Sequence, residues 1–284
     1  MRILVFGGNG MAGHVIRAYL AESGWYDVWH TVRGKSDHPL AIRMDVTDQA
    51  AVVEAVSHVR PDVVINATGL LNEEVSRRLF DAICVNSLFP HQLARLGEKM
   101  GFQLIHISTD CVFSGRRGEY TEEDVTDGTT AYAKTKSLGE VTYGGHLTIR
   151  TSIIGPELKD GIGLFHWFMK QKGEVRGYRR VFWNGVTTLE LAKAIDWVLQ
   201  KPMIAGLVHL AAPGKISKYQ LLVWLKEAFG RDDVTIYPYD GIIADKSLLN
   251  TRPDFTYAVT PYREALAELR EWIRTHPGYD YGYG

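Results

Sequence analysis

A tyrosine and a lysine stand four positions apart in the segment AYAKTK, residues 131–136. If this segment is helical, Tyr132 and Lys136 share one face, with Cβ atoms roughly 5–6 Å apart. An ammonium group beside a phenol favours the phenolate and lowers a pKa that is otherwise about 10. Such a pair can transfer protons near neutral pH. Taken alone, the same spacing is more typical of a surface pair on an amphipathic helix, so the other motifs must decide.

A glycine-rich loop is the second feature that could do chemistry. The segment VFGGNGMAGHVI follows an apolar run and places Gly7, Gly10 and Gly13 in a GxxGxxG pattern. Glycines at this spacing permit a tight turn, let the backbone approach a pyrophosphate and let helix and strand pack closely. The first amides of the following helix, at Met11 and Ala12, would then face phosphates. The pattern predicts a dinucleotide-binding loop.

The end of the second apolar run bears on the choice of dinucleotide. It reads HTVRGK, with Arg33 and Lys35 where an NAD site usually has an acidic residue. Asp27 has roughly the expected spacing but stands at the start of the run. Cations suit a 2′-phosphate, so NADP(H) is favoured and NAD(H) remains an alternative. Two solvated loop cations would explain the same residues.

Polar residues also follow the next two runs, in RMDVTD and VINATG. Asp45 could accept a hydrogen bond from the adenine amino group, with Val46 against the ring. The residues expected along the pyrophosphate and the nicotinamide ribose are Asn66, Ala67 and Thr68. Either segment could equally serve only to form a turn.

Alternating strands and helices must position these residues. Apolar runs rich in Val and Ile predict strands at 2–6, 27–32, 62–67, 102–108 and 146–150. Helical periodicity occupies residues 12–22, 48–58, 75–100 and 130–142. This alternation predicts an α/β fold with a doubly wound parallel sheet. Its strand ends would gather the glycine loop, the polar segments and the residues Ser108, Thr109 and Asp110 at one edge.

The sequence composition changes after residue 150, where turn-forming and aromatic residues become frequent. We expect a Rossmann-like body at residues 1–153, to which the chain returns around 186–211. A smaller C-terminal substrate lobe would comprise residues 154–185 and 212–276. The tail, 277–284, offers nothing obvious to pack against and is expected to be mobile.

Composition excludes several classes of protein. The 284 residues carry a net charge of −1, which argues against binding to nucleic acid or to an anionic membrane. Two cysteines, Cys84 and Cys111, without a CxxC motif argue against a disulfide scaffold or a zinc site, and no metal is expected. No apolar run approaches the ~18 residues of a membrane span. A cytoplasmic location is expected, and a homodimer is an alternative to a monomer.

The motifs GxxGxxG, NATG, ISTDCVFSG, AYAKTKSLGE and IRTSIIG together resemble the extended short-chain dehydrogenase/reductase family. More narrowly, they resemble its dTDP-4-dehydrorhamnose reductase branch, over roughly residues 1–270. The resemblance implies NADPH-dependent reduction of a keto group, expected at C4, on a nucleoside-diphosphate 6-deoxyhexose, for surface-polysaccharide biosynthesis. It also implies a catalytic triad of Thr109, Tyr132 and Lys136, with Ser108 as an alternative hydroxyl. Tyr132 and Lys136 would contact the cofactor too.

The substrate residues are less sharply indicated. The segment GYRRVFWNGVTT offers guanidinium groups for phosphates, an aromatic face for stacking and an amide for hydroxyls. The residues expected at the substrate are Asp110, Cys111, Ser152, Arg179, Arg180, Trp183 and Asn184. Alternatively, this segment is a strand and turn with core aromatics and solvated arginines. Cys111 departs from the tyrosine common in the branch and from the glutamate of related dehydratases, which argues against dehydration.

Two rival functions remain. A nucleotide-sugar epimerase of the same superfamily would hold and recycle NAD, which the cations at Arg33 and Lys35 disfavour. A non-catalytic NADP-binding regulatory subunit, resembling the β subunit of methionine adenosyltransferase, is disfavoured by the intact Tyr132 and Lys136.

Overall fold

The computed structural model describes residues 1–158, 161–279 and 281. Strands are numbered in chain order: β1 Arg2–Phe6, β2 Asp27–Val32, β3 Ala41–Arg43, β4 Val63–Asn66, β5 Gln103–Thr109, β6 Leu147–Thr151, β7 Ile153–Ile154, β8 Gly173–Tyr178, β9 Val181–Trp183, β10 Val186–Thr187, β11 Gly206–Leu210, β12 Ile216–Ser217, β13 Val234–Tyr239 and β14 Ala244–Asp245. The α-helices are α1 Met11–Glu22, α2 Gln49–Val59, α3 Asn72–Arg77, α4 Leu79–Ala82, α5 Phe89–Met100, α6 Ala131–Leu138, α7 Leu164–Met169, α8 Thr188–Leu199, α9 Lys218–Phe229 and α10 Tyr262–Thr275. A π-helix spans Ile83–Leu88 and a 3₁₀ turn spans Asp110–Val112.

Seven parallel strands form the main sheet, in the order β11-β6-β5-β4-β1-β2-β3. The chain winds outward from β1 to β3 and then, from β4, outward in the other direction. The carboxyl ends of β1 and β4 therefore flank the point where the winding reverses, which is where such sheets bind ligands. The predicted doubly wound α/β fold is confirmed.

Side-chain alternation along β1 shows how the sheet is covered on both faces. Ile3 and Val5 enter one hydrophobic cluster, with residues of α1 and α8. Leu4 and Phe6 enter a second cluster on the other face, with residues of α2 and α5. Since successive strand residues point to opposite faces, an almost continuously apolar strand requires two covering layers.

The helix predicted over 75–100 is interrupted in the structure. Arg78 adopts φ −131° and ψ 54° between α3 and α4, and the π-helix then precedes α5. Within the π-helix, the buried amide of Asn86 bonds the backbone nitrogen of Leu70 at 2.9 Å and its carbonyl at 3.0 Å. Asn86 also donates to Thr135 on α6 at 3.2 Å. This widened turn ties α6 to the loop that follows β4, consistent with the frequent occurrence of π-bulges at functional sites.

The residues after β6 form small sheets, β12-β9-β14 and β13-β8, before and after the chain returns through α8 and β11. Thr187 caps α8 by accepting from the backbone nitrogen of Glu190 at 3.0 Å. Phe165, Trp183 and Leu221 belong to the same hydrophobic cluster as α1. The division into a body and a substrate lobe at the stated boundaries stays a prediction, but the two parts share one core.

Two residues of the tail, Tyr279 and Tyr281, have packing partners that we did not expect, while the mobility of the tail stays a prediction. Tyr281 is buried, and its ring centroid lies 5.7 Å from that of His14. The ring of Tyr279 lies 5.5 Å from His14 as well. Tail residues 280 and 282–284 lie outside the described residues. Among the helices that the structure describes, none is long and apolar enough to span a bilayer.

Candidate active site

The glycine loop closes tightly against the end of β4. Gly7 has φ +81°, and a Cβ there would lie 3.1 Å from the carbonyl of Ala67. A Cβ on Gly13 would lie only 2.1 Å from the carbonyl oxygen of Gly7, so no larger residue fits. Helix α1 begins at Met11, and Gly10 before it supplies no side-chain cap. The first amides of α1 therefore lie at the switch point, the place where the winding of the sheet reverses. The glycine loop and these amides fit a dinucleotide pyrophosphate.

A cationic pocket lies beyond the end of β2. Arg33, Arg43, Met44 and Asp45 line it. Sequence reasoning missed Arg43, whose only signal was its position at the end of a short third strand. Lys35 is exposed and does not line the pocket. Two guanidinium groups around one pocket suit a 2′-phosphate.

Asp45 forms a turn, as the alternative reading of its motif held. Its carboxylate accepts from the backbone nitrogen of Thr47 at 2.9 Å and from its hydroxyl at 2.7 Å. These hydrogen bonds hold the pKa of Asp45 below its ordinary value. Val46 is partly buried against the core beneath. Contact of Asp45 and Val46 with adenine stays a prediction.

Asn66 organises the loop after β4. Its Oδ1 accepts from the backbone nitrogen of Thr68 at 3.1 Å and from its hydroxyl at 2.6 Å. Its Nδ2 lies 3.1 Å from Nδ1 of His106, the paired residue on β5. Asn66 is fully buried and therefore shapes the loop of Ala67 and Thr68 from below. Its own contact with the cofactor, one of our expectations, is not favoured by this geometry.

Helix α6 carries the tyrosine and lysine of the opening motif, as predicted. Thr130 caps it by accepting from the backbone nitrogen of Ala133 at 3.1 Å. Lys136 is buried, and its Nζ donates to the carbonyl of Ile107 at 2.8 Å and lies 3.3 Å from Nε2 of His106. Burial lowers the pKa of Lys136 to about 8, with Glu140 opposing the shift. Burial also lowers the pKa of His106 well below its ordinary value, so the imidazole is neutral.

The phenol of Tyr132 differs from our expectation. Burial raises its pKa, Cys111 and Asp110 raise it further, and hydrogen bonding with the Thr109 hydroxyl opposes the shift. The predicted lowering by Lys136 is therefore wrong, because the amino group of Lys136 is bound to the sheet. A phenol that stays protonated at neutral pH can still donate a proton to a substrate.

Ser108 and Thr109 are separated by strand alternation. Ser108 donates to Oε1 of Glu140 at 2.7 Å, and Glu140 forms a two-pronged ion pair with Arg150 at 2.7 Å. Thr109 lies instead beside Tyr132 and accepts from the backbone nitrogen of Cys111 at 3.1 Å. The alternative that Ser108 supplies the catalytic hydroxyl is corrected, because its side chain is held on the other side of β5.

Three of the expected substrate residues meet next to Thr109. Asp110 is buried and bonds the hydroxyls of Thr109 and Ser152, and its pKa is raised by burial. Trp183 donates its indole N–H to the hydroxyl of Ser152 at 2.9 Å. Nζ of Lys218 lies 4.9 Å from the centroid of the Trp183 ring. Burial lowers the pKa of Lys218 to about 8, while Asp110 and Cys111 oppose the shift.

Lys218 escaped sequence reasoning because it follows the Ser217 cap of an amphipathic helix, where a lysine ordinarily reads as solvated. Its desolvation instead points to function. The thiol of Cys111 stays protonated, since burial raises its pKa to about 11.

Another expected substrate residue, Asn184, serves the fold. Asn184 donates to the carbonyls of Ala212 and Leu248 at 3.2 and 2.7 Å and accepts from the nitrogen of Leu248 at 2.9 Å. Its amide is therefore not available for sugar hydroxyls. The Trp183 ring is 3% exposed, which corrects its predicted role as a stacking platform.

Arg179 pairs with Asp240 at an exposed turn, as the alternative of solvated arginines held. Arg180 is exposed as well, and its contact with a phosphate stays a prediction. Within residues 1–158, 161–279 and 281, no group of three His, Cys, Asp or Glu side chains could hold a metal ion.

A doubly wound sheet, a glycine loop at its switch point and a Thr–Tyr–Lys set at the adjoining strand ends define the extended short-chain dehydrogenase/reductase class. Residues 1–242 match the RmlD substrate binding domain family, and the chain belongs to that family. The resemblance predicted from the motifs is thereby confirmed.

Named relatives agree with this membership. The spore coat polysaccharide biosynthesis protein SpsK of Bacillus subtilis is 26% identical, over 95% of this chain and 94% of SpsK. The dTDP-4-dehydrorhamnose reductase of Escherichia coli K12 is 29% identical, over 77% of this chain and 75% of that enzyme.

Solved structures share the fold. A hypothetical dTDP-4-dehydrorhamnose reductase from Sulfolobus tokodaii has a TM-score of 0.77 at 26% identity, covering 92% of this chain and 98% of that one. A dTDP-4-dehydrorhamnose reductase from Bacillus anthracis, solved in complex with NADP, has a TM-score of 0.79 at 20% identity, covering 96% and 99%.

Proposed function

We propose that this protein reduces a keto group, at C4, of a nucleoside-diphosphate 6-deoxyhexose, in the manner of dTDP-4-dehydrorhamnose reductase. The product would enter surface-polysaccharide biosynthesis. The observation that carries the proposal is the protonated phenol of Tyr132 beside Thr109, at the switch point of the sheet. Membership of the family and the names of the relatives support the substrate class.

The chain's own residues account for proton transfer and charge stabilisation. NADPH, when bound, supplies the hydride that reduces the carbonyl carbon. Tyr132 donates its phenolic proton to the carbonyl oxygen as negative charge develops there. The hydroxyl of Thr109 donates a hydrogen bond to the same oxygen and stabilises that charge. Lys136, held by the carbonyl of Ile107, contributes a positive charge to the site when it is protonated and would bind the nicotinamide ribose.

Two observations support NADPH over NADH. Arg33 and Arg43 line one pocket beyond β2, where the adenosine ribose is expected. No carboxylate of that pocket is placed like the acidic residue of NAD sites, because Asp45 is engaged in its own turn with Thr47.

The test is a screen of NADPH oxidation by the purified protein against dTDP-4-keto-6-deoxy sugars. We expect oxidation with at least one of them, and Tyr132→Phe should lower kcat about 10²–10⁴-fold while NADPH still binds. NADPH binding without turnover on any keto sugar would instead favour the regulatory-subunit alternative. Tightly held NAD that copurifies would favour an epimerase. Light scattering would test the homodimer, which stays a prediction, as does the cytoplasmic location.

A further inference from the structure

The C-terminal tyrosines cover two side chains of the first turns of α1. The rings of Tyr279 and Tyr281 lie 5.5 and 5.7 Å from the ring of His14. The guanidinium carbon of Arg17 lies 5.5 Å from the centroid of Tyr279. Tyr281 and His14 are buried, whereas Tyr279 and Arg17 are partly buried.

The same two α1 residues hold carbonyl groups of the glycine loop. Nδ1 of His14 lies 2.8 Å from the carbonyl oxygen of Gly10. Since a carbonyl only accepts, Nδ1 carries the proton. Nε of Arg17 donates to the carbonyl oxygen of Gly8 at 2.8 Å. Two peptide groups of the loop, those that follow Gly8 and Gly10, are therefore held by side chains that the tyrosines pack against. The carbonyl of Gly10 also accepts from the backbone nitrogen of His14 at 3.1 Å.

Holding these carbonyls also orients amides. A trans peptide is planar, so its C=O and the following N–H point in opposite directions. Fixing the carbonyl of Gly8 sets the N–H of Asn9, and fixing that of Gly10 sets the N–H of Met11. Both amides belong to the glycine loop and the start of α1, where a pyrophosphate is expected.

The approach of the tail is itself anchored. His276 stacks on Trp272 of α10 with centroids 3.7 Å apart, and its Nε2 lies 2.5 Å from Oε1 of Glu22 at the end of α1. The chain therefore reaches Tyr279 and Tyr281 from a fixed point next to α1.

We propose that Tyr279 and Tyr281 are positioning residues for the dinucleotide, acting through His14 and Arg17 on the peptide groups of Gly8 and Gly10. The inference rests on the proposed use of NADPH. This positioning role differs from a purely structural one. If the tyrosines only covered apolar surface, removing them would lower the stability of the protein but would not change its affinity for the cofactor below the melting temperature.

The double variant Tyr279→Ala/Tyr281→Ala tests this through NADPH affinity, measured by fluorescence titration well below its Tm. We expect Kd to rise about 3- to 10-fold, because a loop that holds its binding geometry for only a fraction of the time loses affinity by that fraction. The variant Tyr279→Phe/Tyr281→Phe keeps both rings and should bind like the wild type. If the alanine variant does not fold, Tyr279→Ala alone is measured.

Tyr143→Ala is the matched control, since the Tyr143 ring also stacks on a histidine, His91, with centroids 5.8 Å apart, but at an exposed site. It should leave Kd unchanged.

Hydrogen exchange of the loop amides in the absence of cofactor gives a second readout, expected to be faster in the alanine variants only. Unchanged Kd and unchanged exchange would overturn the inference. If the wild type bound no NADPH, the proposed function would fail, while the exchange of the loop would still decide whether the tyrosines fix it.

Discussion

The amino nitrogen of Lys136 lies 3.3 Å from Nε2 of His106, on the neighbouring strand of the sheet. Because Oδ1 of Asn66 accepts from Thr68, the amide of Asn66 donates to Nδ1 of His106. A neutral ring then carries its proton on Nε2, facing Lys136. Burial lowers the pKa of Lys136, and an N–H facing its amino group disfavours an ammonium there as well.

The first prediction is a loss of reductase activity on the alkaline side. A lysine whose pKa is about 8 is protonated below that value and loses its charge as the pH rises through it. We therefore expect kcat to fall with an apparent pKa of about 8. Tyr132 should add no transition in this range, because burial raises its pKa. A pH profile of kcat from 6 to about 10 measures this, and a flat profile would contradict it.

The second prediction concerns Arg33 and Arg43. Replacing either by Ala should weaken NADPH binding about ten- to a hundred-fold, the scale of a charge-assisted hydrogen bond, and leave NADH nearly unchanged. Lys35→Ala is the control, since Lys35 is an exposed cation of the same loop that does not line the pocket. Dissociation constants for both cofactors measure the effect. Equal weakening of NADPH and NADH would show that the arginines do not bind the 2′-phosphate.

The third prediction places Lys218 at the substrate. Its amino group is desolvated near Asp110 and Cys111, although the residue as a whole is only partly buried, and a cation in such a place favours an anionic or polar ligand. Lys218→Met should raise the KM for the sugar nucleotide about ten-fold and leave the Kd for NADPH unchanged. Lys215→Met is the control, because Lys215 pairs with Asp245 and Glu119 nearer the surface. An unchanged KM in Lys218→Met would remove Lys218 from the substrate site.

The fourth prediction concerns stability. The side chains of Glu140 and Arg150 are 6% and 5% exposed. Removing one partner leaves a buried charge without compensation, so Arg150→Met should lower the free energy of unfolding by about 3–5 kcal/mol. The exposed pair of Glu271 and Arg274 is the control, and Arg274→Ala should leave the free energy of unfolding nearly unchanged, because solvent screens the pair. Urea unfolding measures both, and similar losses in the two variants would refute the assignment.

Local sequence patterns predicted much of the fold and part of the candidate site. The strands and the glycine loop follow from short-range periodicity, and the rule that successive strand residues face opposite ways would have separated Ser108 from Thr109 without a structure. The π-helix at Ile83–Leu88 was less accessible, because it accompanies the burial of Asn86 against Leu70, a contact outside the helix.

Contacts between distant parts of the chain explain what the sequence did not reveal. The direction of Lys136 depends on His106, thirty positions away and on another element. Asn184 is occupied by Ala212 and Leu248, and Tyr281 packs against His14. No local propensity encodes such pairings, since each requires the tertiary fold to bring its partners together.

The core shared by the two parts of the chain has an evolutionary consequence. Phe165, Trp183 and Leu221 pack in one cluster with Val15 and Leu20 of α1. Since close-packed interiors tolerate few changes of shape, a foreign substrate lobe would leave voids or clashes where it meets α1. Grafting a whole lobe from a relative should therefore fail where single substitutions at positions such as Lys218 succeed. New sugar preferences in a protein built this way would arise residue by residue, not by exchange of modules.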